Sequence, residues 1–281
     1  MTAAPNRTHV PPAARGPRLT FGGVVRSEWI KLRSLRSTWW TIGAMMAAMT
    51  GLVALLGANV ESSIVETTAE MEAQNPAEVA ATLLPDLTAT MLGAMGVIFM
   101  VVLSVLAVAG EYASGSIRAT LTAVPRRLPV LAAKTVVVGS VTLAAAAATT
   151  AVASGVGWAV MSARGIELGL SPTSWRMLAG GVLYTVAMSL LALGVGAIAR
   201  SAAGGISITL GVLFALPLLA QLLPESLRGV ADWLPDQAGR QVFTVIPDPA
   251  TGGAWGGFGV LLAWTALSLG VAAYLLRRRD A

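Results

Sequence analysis

Six stretches of the chain run for roughly 20 residues or more without a single Asp, Glu, Lys, Arg or His: 39–58, 87–109, 135–161, 178–199, 202–223 and 254–276. A helix needs roughly 20 apolar residues to cross about 30 Å of hydrocarbon. The apolar runs are continuous, whereas strands of a membrane barrel would alternate apolar and polar positions. The pattern therefore predicts an all-α polytopic membrane protein with six transmembrane helices.

The segments between these windows have patterns of their own. Over 21–38 the chain reads as an amphipathic helix: at 100° per residue Phe21, Val24, Val25, Leu32 and Leu35 share one face, while Arg26 and Arg33 point elsewhere. Such a basic helix lies along a leaflet surface and leads into the first span. Glu28 falls within the apolar stripe, and two readings stand: an ion pair with Lys31 at i, i+3, or a contact to a partner. Residues 59–86 carry Glu61, Glu66, Glu70, Glu72, Glu78 and Asp86 with no basic residue; they read mainly as a solvated acidic loop on the outside, the other reading being a site that collects cations or substrate. In the loop 110–134, Gly110-Glu-Tyr-Ala-Ser-Gly115 is followed by a helix-compatible run at 116–123. Pro125, Arg126, Arg127 and a turn-closing Pro129 come next. In 224–253, Leu227, Val230, Ala231 and Leu234 recur at helical spacing beside Trp233, which predicts a short interfacial helix over 226–234 with its Trp as anchor.

Composition agrees with the windows. The chain is 55% hydrophobic and only 12% charged, about half the charge a soluble domain uses to coat its surface. Its 281 residues and mean hydropathy of +0.72 describe one membrane domain with little left over. The formal net charge of +5 would suit a nucleic-acid partner if it were clustered, but its distribution follows the spans. If the N-terminus is cytoplasmic, fifteen of the 19 Lys and Arg fall on the inside: seven ahead of the first span, four in 110–134, Arg200, and Arg277 to Arg279. Arg164, Arg176, Arg228 and Arg240 fall outside, with most of the carboxylates. The positive-inside rule thus predicts cytoplasmic termini in a plasma membrane, and no nucleic-acid role. Residues 1–20, rich in Pro and Arg, read as a disordered tail rather than a signal peptide; 277–281 form a basic C-terminus.

What is missing narrows the function. There is no cysteine, and the sole histidine, His9, lies in the tail; this excludes disulfides, thiolate metal sites and histidine-based triads. Neither lysine, Lys31 after Ile30 or Lys134 after Ala133, belongs to a Gly-Lys-Ser/Thr phosphate loop. The windows contain no ionisable group of the kind proton-coupled carriers place in the membrane, and Gln221 is their main polar amide. The chain is therefore not read as an enzyme and needs no cofactor of its own. A transporter with so inert a membrane body takes its energy from a separate ATPase, and 110–134 is the largest surface such a partner could grip.

Three stretches carry a family resemblance: Arg26-Ser-Glu-Trp-Ile-Lys-Leu-Arg-Ser-Leu-Arg-Ser-Thr-Trp-Trp40 at the first span, Gly110-Glu-Tyr-Ala-Ser-Gly-Ser-Ile-Arg118 with Pro125-Arg-Arg127, and Trp264 to Asp280. In this order around six spans, the chain resembles the permease subunits of type-2 ABC exporters, as found in high-GC Gram-positive bacteria. The resemblance covers residue 21 to the C-terminus. It implies a bacterial plasma-membrane homodimer or pseudodimer docked on ABC ATPase subunits that bind ATP and Mg. In that family the helix before the first span is the connecting helix, matching 21–38 with Glu28, Lys31, Arg33 and Arg36. The coupling helix lies between spans two and three, matching 111–123, so that Glu111, Tyr112, Gly115, Arg118, Arg126 and Arg127 are the expected ATPase-coupling residues. The short outer helix also has a counterpart, 226–234. Glu111, a carboxylate in a basic loop, either meets a partner or serves a helix N-terminus; Arg126 and Arg127 either couple or bind lipid phosphates. Two other readings stay open: an anchor or sensor subunit for an ATPase, and a secondary transporter built on backbone carbonyls.

Overall fold

The computed structural model describes residues 20–59, 76–123, 127–166, 168–222, 224 and 229–278, with backbone alone at 76–80, 118, 119, 121 and 123. The expected N-terminal tail, most of the acidic loop and Arg126 lie outside these residues. No strand occurs among the described residues, and six helices are long and apolar enough to cross a membrane.

Helix α1 (Phe21–Ser34) precedes the first span, α2 (Arg36–Ala58). The second span, α3, begins as Pro76–Met91, passes through a π-helical turn at Leu92–Gly96 and continues as Val97–Ala113. A short α4 (Ser116–Ala123) leads to the third span, α5 (Arg127–Ser162), and the fourth, α6 (Pro172–Ala199). The fifth, α7, is Ala202–Leu210 continued through a π turn at Gly211–Ala215 to Leu216–Ala220. A 3₁₀ turn at Ala231–Trp233 and the short α8 (Pro235–Arg240) precede the last span, α9 (Gly253–Arg278).

Cross-links between spans define two ends of the bundle. At one, Arg127 Nη1 donates to the Leu276 carbonyl at 3.0 Å, and the Arg200 guanidinium stands 5.3 Å over the Tyr112 ring. At the other, Ser174 Oγ donates to the Ala81 carbonyl at 2.7 Å. The first end gathers Lys31, Arg127, Lys134, Arg200, Arg277 and Arg278 and is called the basic end below; Arg164, Arg176 and Arg240 sit at the other. The charge partition expected from the loops is thus a partition of the folded bundle.

Helix α6 is the axis of the bundle: 61% of its apolar window is buried, against 17% in α7 and in α9. Glycine makes this close packing possible. A Cβ on Gly194 would stand 2.8 Å from the Ser268 carbonyl carbon of α9, so the two backbones touch as small-residue membrane interfaces allow. The main core joins α3, α6 and α9 through Val97, Val101, Met188 and Leu261.

Several boundaries differ from those expected. The predicted 21–38 helix is two helices, because Leu35 takes an extended conformation (φ −77°, ψ 118°) and the chain turns into α2 there. Trp39 Nε1 donates to the Arg33 carbonyl at 3.0 Å, satisfying an acceptor that the break strips of its helical partner. Leu35 at the break and Phe21 at the start of α1 are exposed, while Val24, Glu28 and Leu32 are buried. The third span starts eight residues before the expected 135. Pro129 lies in its first turn, where a missing N–H costs no hydrogen bond, and it does not close a turn as expected. The π turn of α7 precedes Pro217, which cannot donate to the Leu213 carbonyl; Leu216 N–H reaches back to Gly211 instead. Helix α8 lies C-terminal to the interfacial helix expected at 226–234, of which 226–228 lie outside the described residues.

Candidate functional site

Helix α1 is amphipathic, and its apolar stripe needs a partner. It finds one in the first turns of α5, where Val24 packs on Val130 and Ala133. That docking drags Glu28, a member of the same stripe, into a buried position with 4% exposure. A buried carboxylate must be paired and hydrogen-bonded, and α5 supplies the pair one turn beyond Val130: Lys134 Nζ donates to Glu28 Oε2 at 2.6 Å.

Lys134 also donates to Glu111 Oε1 at 2.8 Å and to the Ala107 carbonyl at 3.1 Å, both from α3. Its three ammonium hydrogens are therefore all used. Lys31 is arranged in the same way: it donates to Glu28 Oε1 at 2.7 Å, to Glu111 Oε1 at 2.8 Å and to Thr120 Oγ1 of α4 at 3.2 Å. Two lysines and two glutamates alternate in a closed ring whose charges cancel. Four helices, α1, α3, α4 and α5, meet in it.

The ring has one asymmetry. Glu28 gives each lysine its own oxygen, whereas Glu111 offers Oε1 to both, and its Oε2 is buried with no partner among the described residues. The ring borders a cavity of about 460 Å³ walled by Leu106, Val137 and Ser114. Lys31 is the solvent-facing member, its side chain 41% exposed. Burial alone would lower its pKa, but the hydrogen bonds and charges of Glu111 and Glu28 outweigh burial and hold it above the usual lysine value.

Of the two sequence readings of Glu28, the structure shows the pair with Lys31 at i, i+3, and beside it a closer pair with Lys134. Glu111 sits in the last turn of α3, and its carboxylate meets lysines, not the N-terminus of α4. Tyr112 stacks beneath Arg200, Gly115 makes the α3–α4 turn at φ +70°, and Arg127 is tied to the end of α9. Arg33 and Arg36 are exposed. Arg118 belongs to α4, with its side chain outside the description, as is the whole of Arg126. The structure thus brings Glu28, Lys31 and Glu111 together and leaves Arg33, Arg36, Tyr112 and Arg127 outside the ring.

Lys134 and Thr120 were not singled out from the sequence. Lys134 was counted only as a loop charge, since the apolar window opens after it. A usable signal existed: Glu111 and Lys134 bracket one short loop between two spans, and an antiparallel hairpin sets such flanking positions side by side.

The opposite end holds a second polar cluster. Arg176 of α6 donates to the carbonyls of Val242 and Thr244, both at 2.9 Å, and to that of Val245 at 3.2 Å. Deeper in α6, the buried Tyr184 hydroxyl donates to Asp236, which also accepts from Arg240 Nε at 3.0 Å. These bonds seat α8 and residues 241–245 inside the bundle, with Val242 and Phe243 buried.

Comparison with protein-family models and with curated proteins gives no match.

Proposed function

We propose that this multi-pass membrane protein is the permease subunit of an ATP-driven exporter, with its basic end cytoplasmic and a separate ABC ATPase docked there. The observation that carries the reading is the ring of Glu28, Lys31, Glu111 and Lys134. It fastens the pre-span helix α1 and, through Thr120, the loop helix α4 to the ends of two spans. A push on α4 or α1 from a partner is then delivered to α3 and α5 together, because short charge-assisted bonds tie all four side chains to one another. This is the mechanical property a subunit needs if ATP hydrolysis elsewhere is to reshape a membrane path. The positive-inside distribution supports the orientation. The absence of a phosphate loop supports a separate ATPase.

The working unit is a pair of such bundles, homodimeric or pseudodimeric, and the exposed apolar faces of α7 and α9 have the composition for contacts with lipid or with a second bundle. The test is co-purification of the chain with an ABC ATPase, followed by reconstitution into vesicles. ATP-dependent transport by the complex, and no ATP hydrolysis by the verified pure chain alone, is expected. Transport without any ATPase would favour a secondary carrier, and ATPase binding without transport an anchor or sensor; either result overturns the proposal.

A further inference from the structure

On the flank of α1 away from the ring, a groove of about 340 Å³ runs between α2 and α5. Its floor is Ser140, Ala144 and Ala148, one small residue per turn of α5, all exposed; Ile42 and Met46 of α2 form its wall. The floor spans about 12 Å at 1.5 Å per residue, close to the roughly 15 Å depth of one leaflet's hydrocarbon. The groove is nearly pure hydrocarbon in character, and it faces outward from a membrane bundle.

Its mouth is different. Arg33 and Trp39 line it, and Arg33 makes no ion pair among the described residues. Thr38, only 3% exposed, also lines it, and its hydroxyl is buried with no hydrogen-bond partner among the described residues. Thr38 belongs to the first turn of α2, whose N-cap residue Leu35 offers no side-chain cap. The Thr38 N–H is taken by the Leu35 carbonyl at 3.2 Å, so the free N–H groups of this uncapped helix start are those of its first residues, which with the positive end of the helix dipole favour an anion.

We propose that this groove is a binding site for one phospholipid with an anionic headgroup. Its phosphate sits at Arg33, Thr38 and the start of α2, and one acyl chain lies along Ser140, Ala144 and Ala148. Four features converge on that occupant: an unpaired guanidinium, an orphaned buried hydroxyl, an uncapped helix start, and a narrow apolar trough one leaflet deep leading away from them. Trp39, an amphipathic ring at the mouth, marks headgroup depth. A free phosphate would use the mouth and leave the trough unexplained; a lipid uses both. The site depends on the orientation proposed above only for which leaflet supplies the lipid, the cytoplasmic one.

Native mass spectrometry of the full-length chain, released from detergent after titration with phosphatidylglycerol or phosphatidylcholine, tests this. One tightly held phosphatidylglycerol is expected, retained about fivefold better than phosphatidylcholine, as one basic residue at a membrane surface would give. Arg33→Gln should erase that preference while phosphatidylcholine retention persists. Ala144→Phe should fill the trough and remove the bound lipid of either kind. Ala144 and Ala148 are both exposed, so folding should survive, and Ala148→Leu gives a milder filling with the same expected direction. No headgroup preference in the wild type, or undiminished phosphatidylglycerol retention in both filled variants, overturns the proposal. Displacement of the lipid by millimolar inorganic phosphate without loss in the filled variants would show a phosphate site only, and also overturns it. These outcomes are independent of ATPase binding and transport, so the exporter reading and the lipid site fail separately.

Discussion

The carboxylate of Glu28 and the ammonium of Lys134 meet at 2.6 Å across 106 residues of chain, with side chains 4% and 6% exposed. Each is the other's main compensation for leaving water, and the two glutamates and two lysines around them sum to zero charge. In such a group, removing one member strands a buried charge, which costs about 3 to 5 kcal/mol, whereas removing a matched pair costs far less.

Lys134→Met should therefore destabilise the purified protein by about 3 to 5 kcal/mol. Adding Glu28→Gln should recover at least half of the loss, since Lys31 and Glu111 remain as a neutral pair. The measurement is the midpoint of irreversible loss of the monodisperse peak on heating in detergent, across the double-mutant cycle. Strict additivity of the two losses would show that the residues do not act as a pair.

Lys31 is the solvent-facing member of the ring, its side chain 41% exposed. Its folded pKa lies above the unfolded one, so its contribution is fully present below the unfolded value of about 10.4 and is lost as pH rises through the folded value. The stability difference between wild type and Lys31→Met should stay constant over about pH 7 to 9 and shrink only in more alkaline solution. A difference that already shrinks on passing from neutral to mildly alkaline pH would contradict a raised pKa.

At the opposite end, a Cβ on Gly180 would meet the Val242 carbonyl oxygen at 2.6 Å, whereas one on Gly259 would meet nothing within 4 Å. Gly180→Ala should thus push against the backbone of residues 241–245 and cost about 1 to 3 kcal/mol. Gly259→Ala, in an open position of the same bundle, should be neutral or stabilising by up to about 1 kcal/mol. Equal thermal midpoints for the two variants would mean that the 241–245 segment is not held against α6.

The orientation is open to direct chemistry because the chain has no cysteine of its own. Cysteine placed at Ser62 should react with an impermeant maleimide in intact cells, and cysteine at Ser116 should react only after lysis. Labelling of Ser116 but not Ser62 reverses the bundle.

How much of this was legible beforehand depended on whether a feature was local. The six spans follow from uninterrupted apolar windows, and Glu28 stood out as a carboxylate within an apolar stripe. The break at Leu35 carries no Gly or Pro, and it is a tertiary effect: α1 stops where docking on α5 requires the chain to turn. Lys134 was hidden by the habit of ending a span at its first charge, although the helix runs on through it and the carboxylates arrive from α1 and α3. Pro217 announces the π turn of α7, while the turn at Leu92–Gly96 has no such marker and coincides with Phe243, whose ring lies where a Gly93 side chain would project. Helix α8 looked like an aqueous loop because Asp236 and Arg240 are charged; what buries Asp236 and holds Arg240 beside it is Tyr184, more than fifty residues earlier.

The ring also has a history during synthesis. Glu28 and Lys31 leave the ribosome together and can satisfy each other at once as neighbours on α1. Glu111 follows much later as a surplus negative charge, and only Lys134, the last of the four in the chain, restores neutrality. A nascent chain that stalls or is truncated between 111 and 134 therefore presents an unbalanced carboxylate at the end of an apolar helix. Emergence of the first turns of the third span, which carry Lys134, is thus the moment at which the ring can close.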